Sequence, residues 1–148
     1  MSKSNSWETA LLALLFNNDA VANVGDAAGL QPSAVDGNLY LSLHSADPGE
    51  GGSQTTNEVT YAGYARVAVA RTPAGFTVAG NAVTLAADAV FPVGSTGAAA
   101  GTATHFGVGT ANAGAGVLLY KGALTPASIP VGDSVTPRLT TGTTITED

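Results

Sequence analysis

The residue types that could perform nucleophilic catalysis stand close together between Ser42 and Asp47. Ser42, His44 and Asp47 are the three types of a hydrolase triad, in which the histidine accepts the proton of the serine hydroxyl. Ser42 and His44 are two positions apart, so on a strand their side chains share one face. The sequence has no Gly-x-Ser-x-Gly turn to expose a nucleophilic serine, and its scattered carboxylates form no recognisable glycosidase pair. We therefore expect no catalytic residues and no enzyme activity.

Metal and cofactor chemistry has few side chains to use. The chain contains no cysteine, and its two histidines, His44 and His105, would have to converge with a carboxylate to hold a metal ion. The acidic turn from Asp47 to Gly52 lacks the spacing of a calcium-binding loop, so it predicts a solvated turn, with adventitious calcium as the alternative. The glycine-rich segment 107–114 has no Gly-x-Gly-x-x-Gly or Gly-Lys-Ser/Thr order. We predict neither a metal site nor a cofactor.

Composition and charge narrow the classes of partner. The chain has 148 residues, of which 45% are hydrophobic and 11% charged, a balance typical of a folded domain and not of a disordered chain. Eleven acidic and five basic residues give a net charge of −6. A groove that follows a phosphate backbone needs several Lys or Arg close together, and here they are scattered singly. We expect no nucleic-acid partner.

The N-terminal segment predicts one amphipathic helix, beginning near Asn5 and ending at Asn17 and Asn18. Its apolar run of about ten residues is too short to span a bilayer, so we expect no membrane partner. The helix packs on its own domain or docks on another subunit, and both possibilities stay open. A short second helix is expected around 19–24, followed by a loop over 25–37. The apolar residues recur at i, i+4, i+7 and i+8, namely Trp7, Leu11, Leu14 and Leu15, and are widened by Leu12 and Phe16.

Residues 38–148 predict a β domain, because turn signals recur about every 8 to 12 residues. In 38–44 the odd positions are leucine, which predicts a strand with one buried and one wet face. Segment 64–71 predicts a second strand with a buried valine face and solvated arginines at its ends. We predict a mainly β chain, with a β-sandwich or jelly-roll-like domain of about eight strands over 38–148 and a helical segment and loop over 1–37. The remaining strands are expected at 76–78 and 82–85, which form a hairpin, and at 89–93, 102–110, 117–124, 134–140 and 143–146.

Five blocks of sequence carry a further signal. In chain order they are LYLSLHSADPG at 39–49, TTNEV at 55–59, YAGYARVAV at 61–69, THFGVG at 104–109 and LLYKGAL at 118–124. Together they resemble a widespread family of small virion structural proteins of tailed bacteriophages, whose members are labelled head decoration or tail fibre protein. The resemblance implies a structural protein located in the virion.

Within that family we favour a capsid decoration or cement protein that sits as a homotrimer on the outside of the head lattice and binds the major capsid protein. Small size favours this interpretation, since the sequence has no repeats or heptads to build a fibre shaft. A tail fibre or baseplate-associated subunit is the alternative. The expected contacts are the helix residues Trp7, Leu11, Leu14 and Leu15 and the loop residues Asp47, Glu50 and Asn57.

A carbohydrate-binding module is the second alternative, because β-sandwiches with glycine-rich loops can bind glycans through exposed aromatic side chains. Trp7 lies in the predicted helix. The stacking platform would therefore consist of Tyr40, Tyr61 and Tyr64, and this hypothesis requires those rings to be exposed.

Overall fold

The structure is a computed structural model that describes residues 2–147. Within the described residues, no helix is both long and apolar enough to cross a membrane. The bounds are α1 Asn5–Asn17, β1 Asn38–His44, β2 Val67–Ala70, β3 Phe76–Ala79, β4 Ala82–Leu85, β5 Ala89–Val90, β6 Gly101–Ala103, β7 His105–Gly109, β8 Leu118–Ala123, β9 Ile129–Val131, β10 Arg138–Leu139 and β11 Thr144–Thr146.

The strands form antiparallel sheets, which confirms a mainly β, sandwich-like domain preceded by a helix. The largest sheet has the order β2-β1-β7-β8, and a second has the order β11-β4-β3. Two short pairs, β10-β5 and β6-β9, complete the pairing of the eleven strands described for residues 2–147. The hairpin of β3 and β4 turns at Gly80 and Asn81, as expected from the sequence.

The described chain has eleven strands, more than the predicted number. Segment 102–110 divides at Thr104, because β6 pairs with β9 while β7 lies between β1 and β8. The strand β9 contains Pro130 and was not predicted; it lies at the edge of its pair, where a residue without an N–H is tolerated. Segment 134–140 contributes only β10, since Ser134 has a positive φ and Pro137 has no N–H to donate.

The helix α1 packs on its own domain. Its buried residues are Glu8, Leu12 and Phe16, which recur every four positions and face β3 and β4. The ring of Phe16 lies 4.9 Å from that of Phe76 on β3 and 5.6 Å from that of Tyr120 on β8. One side chain therefore joins the helix to the two larger sheets.

The helix ends at Asn18, which adopts the left-handed conformation with φ 57°. The expected second helix over 19–24 was wrong. Instead, Val21 and Leu30 form an isolated antiparallel bridge in an extended loop. The proposed division of the chain at residue 37 stays a prediction.

Candidate functional site

The apolar residues predicted to form one stripe on α1 do not behave alike. Leu15 packs against the hydrophobic core. Trp7, Leu11 and Leu14 are half-buried and lie outside the set of residues that pack against it. These three apolar side chains, at i, i+4 and i+7, are therefore partly accessible to solvent. Their role as contacts to another subunit stays a prediction.

Two of the three predicted loop contacts, Asp47 and Glu50, lie around one lysine of β8. The ammonium of Lys121 lies 3.1 Å from Oδ1 of Asp47 and 3.1 Å from Oε1 of Glu50. The Gly49 N–H and then Lys121 hold the pKa of Asp47 below its usual range. Asn57, with φ 56°, donates its amide N–H to the carbonyl of Asp47. The three predicted residues therefore belong to one ordered loop that is tied to the edge of the main sheet.

The serine and histidine of the considered triad do form a hydrogen bond. Ser42 Oγ lies 2.8 Å from His44 Nε2, and His44 Nδ1 lies 2.8 Å from the Thr56 carbonyl. Since a carbonyl only accepts, Nδ1 carries the proton and Nε2 accepts the Ser42 hydroxyl hydrogen. Both side chains are 0% exposed, and Asp47 pairs with Lys121. The pair therefore cannot meet a substrate, and burial lowers the pKa of His44.

This burial corrects the expectation that one face of β1 is wet. The leucine face is buried in the core as predicted. The opposite face is covered by loop 45–66, whose Gln54 is also fully buried. Gln54 accepts from the Ala111 N–H at 2.9 Å through its side chain, and its own backbone N–H donates to the Ala115 carbonyl at 2.9 Å. Hydrogen bonds of this kind let polar side chains stay buried.

An ion pair between Glu58 and Arg66 holds the same loop. Arg66 donates to Glu58 through Nε and Nη2, both at 2.7 Å. It also donates to the carbonyls of Ala111 and Gly114 at 2.9 and 2.8 Å. The Arg66 side chain is only 2% exposed, so the expected solvated arginine at this strand end was wrong. We call this group the arginine clamp, because it joins loop 45–66 to the turn at 111–116.

The aromatic platform required for glycan binding is not on the surface. Tyr61 is buried and donates its hydroxyl to the Pro92 carbonyl at 2.8 Å. Tyr64 stacks on Phe91 at 6.1 Å and donates to Glu58, and burial raises its pKa. Only Tyr40 of the three keeps a half-exposed position outside the core. The proposed platform was therefore wrong.

The histidines and carboxylates do not converge. Among residues 2–147, no three His, Asp or Glu side chains are placed to hold a metal ion. His105 is half-buried on β7, and its Nδ1 lies 2.9 Å from the hydroxyl of Thr104. A cleft of about 440 Å³ near β8 and β10 is lined mainly by apolar side chains and threonines, together with Arg138, and has no carboxylate in its wall.

Family comparison gives the identity of this compact, internally bonded β domain. Residues 2–146 match the family described as Podophage GP4 fiber I protein gp80. The chain belongs to this family. The match confirms the resemblance to structural proteins of tailed phages and supports a structural role in the phage for this gp80 family member. No curated protein matches the sequence.

Proposed function

We propose that this gp80 family member is a non-enzymatic structural subunit of a podophage virion and that it belongs to the tail fibre. The observation that carries the proposal is the family match, which covers residues 2–146 and whose description names a fibre protein. This description favours the tail over the head lattice. The tail fibre subunit, which was the alternative in the sequence analysis, is therefore the preferred hypothesis.

The geometry of the polar residues supports a structural role. Side chains of the types found in catalytic sites, such as Ser42 and His44, form a hydrogen bond with each other in the protein interior. The arginine clamp and the Lys121 ion pairs fix the longest loop of the β domain against neighbouring elements. A loop held in this way presents the same surface in every copy, which suits repeated contacts in a symmetric particle.

The mode of action that we propose is assembly through many small contacts. Homotrimers would multiply the strength of each contact because neighbouring sites act together. The half-buried row of Trp7, Leu11 and Leu14 is one such contact, since aromatic and aliphatic anchors often carry the energy of an interface.

Decoration of the head, with the major capsid protein as partner, is the second candidate. The observation that favours it is the compactness of the described chain, in which one β domain has no helical shaft or repeat to extend a fibre.

Immunogold electron microscopy on intact particles tests the proposal, with antibody against the purified chain. Label on the tail fibres is the expected result. Label spread over the head would favour decoration instead. Absence of label from intact and disrupted particles would contradict a virion role altogether.

A further inference from the structure

The segment between α1 and β1 stands out because it is ordered without being buried. We call residues 19–37 the finger. None of its residues is buried, and most are exposed. Loops longer than about 12 to 15 residues without regular structure are uncommon in compact domains and usually functional. The finger therefore calls for a reason other than connecting two elements.

Hydrogen bonds at the base hold the finger to the domain. Asn18 donates its amide N–H to the Ser33 carbonyl at 2.9 Å and accepts the Ser33 N–H at 2.8 Å. Arg71 bonds the carbonyls of Leu14 and Leu15 at the end of α1 and also reaches the Ser33 hydroxyl at 3.2 Å. The two ends of the finger are thus fixed to the helix and to each other.

Further bonds shape its middle and tip. The backbones of Val21 and Leu30 exchange two N–H to carbonyl bonds of 2.9 Å. Oδ1 of Asp26 accepts the N–H groups of Ala28 and Gly29 at 2.8 and 3.0 Å. Gly29 has φ +67°, and a Cβ there would lie 2.0 Å from the Val21 carbonyl oxygen. Its own backbone therefore holds the finger in shape, and little conformational entropy is left to lose on binding.

The side chains on this braced frame are unusual for a solvated loop. Val24, Leu30 and Val35 are 37%, 38% and 79% exposed. Three aspartates, Asp19, Asp26 and Asp36, are the finger's charged residues, and it has no Lys, Arg or His. An element that is apolar, acidic and preorganised fits an apolar depression bordered by cations.

A second copy of this chain offers little uncompensated positive charge: the basic residue in the wall of its apolar cleft is Arg138, 56% exposed, and Asp88 lies 3.6 Å from it. Each of the five Lys and Arg side chains already contacts groups of its own chain. Lys3 pairs with Glu147, Arg66 with Glu58, Lys121 with Asp47 and Glu50, Arg138 with Asp88, and Arg71 bonds carbonyls at the end of α1. A contact between copies would place the three aspartates against an acidic protein of net charge −6.

We propose that the finger docks on a different virion protein, in an apolar depression bordered by lysine or arginine side chains. This inference rests on the proposed structural role in the virion. It holds whether the protein lies in the fibre or on the head, because the finger presents the same apolar and acidic side chains in both locations. The finger inserts as a preformed element, with its valines and leucine against the depression and its aspartates at the rim.

A matched pair of triple variants tests the inference. The finger variant carries Val24→Ser, Leu30→Ser and Val35→Ser. The control variant carries Val90→Ser, Val93→Ser and Val117→Ser, at sites 48%, 54% and 60% exposed elsewhere on the surface. Phage lacking the native gene is grown in hosts that supply wild type or a variant, and copies per purified particle are measured by quantitative immunoblot. Circular dichroism and thermal unfolding confirm that both variants fold.

The finger variant loses three apolar contacts that wild type buries against its partner. Its incorporation should therefore fall by about tenfold or more, while the control variant stays at the wild-type level. Purified Asp19→Asn protein, added to deficient particles, should bind with a weaker dependence on NaCl concentration than wild type. Equal incorporation of the finger and control variants would overturn the inference but leave the virion role intact.

Two further outcomes are distinct. Analytical ultracentrifugation gives the oligomeric state of each purified protein. If wild type and the control variant form an oligomer and the finger variant does not, a second copy is the occupant and a heterologous partner is refuted. Absence of wild-type protein from particles would refute the proposed function, and the finger inference would fail with it.

Discussion

The arginine clamp provides the sharpest test of what holds the loops of this gp80 family member. Arg66→Met keeps much of the side-chain volume and removes the guanidinium. Glu58, whose side chain is 12% exposed, would then lose both of its bonds to Arg66, and the carbonyls of Ala111 and Gly114 would lose their donors. The substitution therefore leaves a nearly buried carboxylate without its cation.

Removing one partner of a buried ion pair costs about 3–5 kcal/mol. Because a small fraction of Glu58 still reaches water, we expect the lower part of that range, about 3 kcal/mol. For a chain of this size such a loss lowers the melting temperature by roughly 6–12 °C. Glu58→Gln combined with Arg66→Met should recover more than half of the loss, since no charge then remains unpaired.

Urea unfolding followed by circular dichroism measures these free energies, with an unchanged m-value as the control that the unfolded state is the same. The double-mutant cycle gives the coupling between the two residues. A cost below about 1 kcal/mol for Arg66→Met, or additive effects of the two substitutions, would refute the buried-clamp reasoning and show that the pair behaves as a surface salt bridge.

Three other outcomes follow from packing, titration and backbone contact. Phe16→Ala should destabilise the fold by about 3–5 kcal/mol, whereas Trp7→Ala should cost less than about 1.5 kcal/mol, as thermal unfolding would show; equal losses would contradict the placement of the two rings. Because burial lowers the pKa of His44 below its ordinary 6.5, the unfolded chain binds more protons below that pH, so stability is complete above it and falls as the pH drops. Urea unfolding at pH 7.5 and 5 should show this fall in the free energy of unfolding for wild type and a smaller fall for His44→Gln. Equal falls in the two proteins would exclude the effect. Gly109→Ala should lower the midpoint of urea unfolding, since a Cβ there would lie 2.0 Å from a buried amide side chain, while Gly51→Ala, with open space around it, should leave the midpoint unchanged.

Local pattern was enough for the elements whose signals lie within a few residues. The alternation of Leu39, Leu41 and Leu43 predicted β1 and its core face, and Gly80 with Asn81 predicted the hairpin of β3 and β4. The spacing of apolar residues predicted α1 over Asn5–Asn17. The lack of catalytic sequence patterns and the resemblance to phage structural proteins were also accessible at this level, because both depend on short runs of residue types.

The candidate contact surfaces were only partly accessible. The sequence proposed Trp7, Leu11, Leu14 and Leu15 as one stripe, but which of them leave the core depends on where β3 and β4 lie. The sequence predicted a short helix and a loop for the finger. The structure instead braces it with bonds that join Asn18 to Ser33 and Val21 to Leu30. No helical or strand period relates such positions.

What the sequence determined by itself was therefore local: which segments are extended or helical, and which of their faces are apolar. The tertiary structure decided what covers the opposite face of each of these elements. Ser42 and His44 on β1 are polar residues that a period-two pattern assigns to solvent, yet loop 45–66 folds back over β1 and buries them, and Arg66 at the end of that loop is buried as well. They stay buried because partners distant in sequence, among them the carbonyls of Thr56, Ala111 and Gly114, satisfy their hydrogen bonds. Burial of a polar group depends on the partner that the fold brings to it, and that partner has no fixed spacing along the chain.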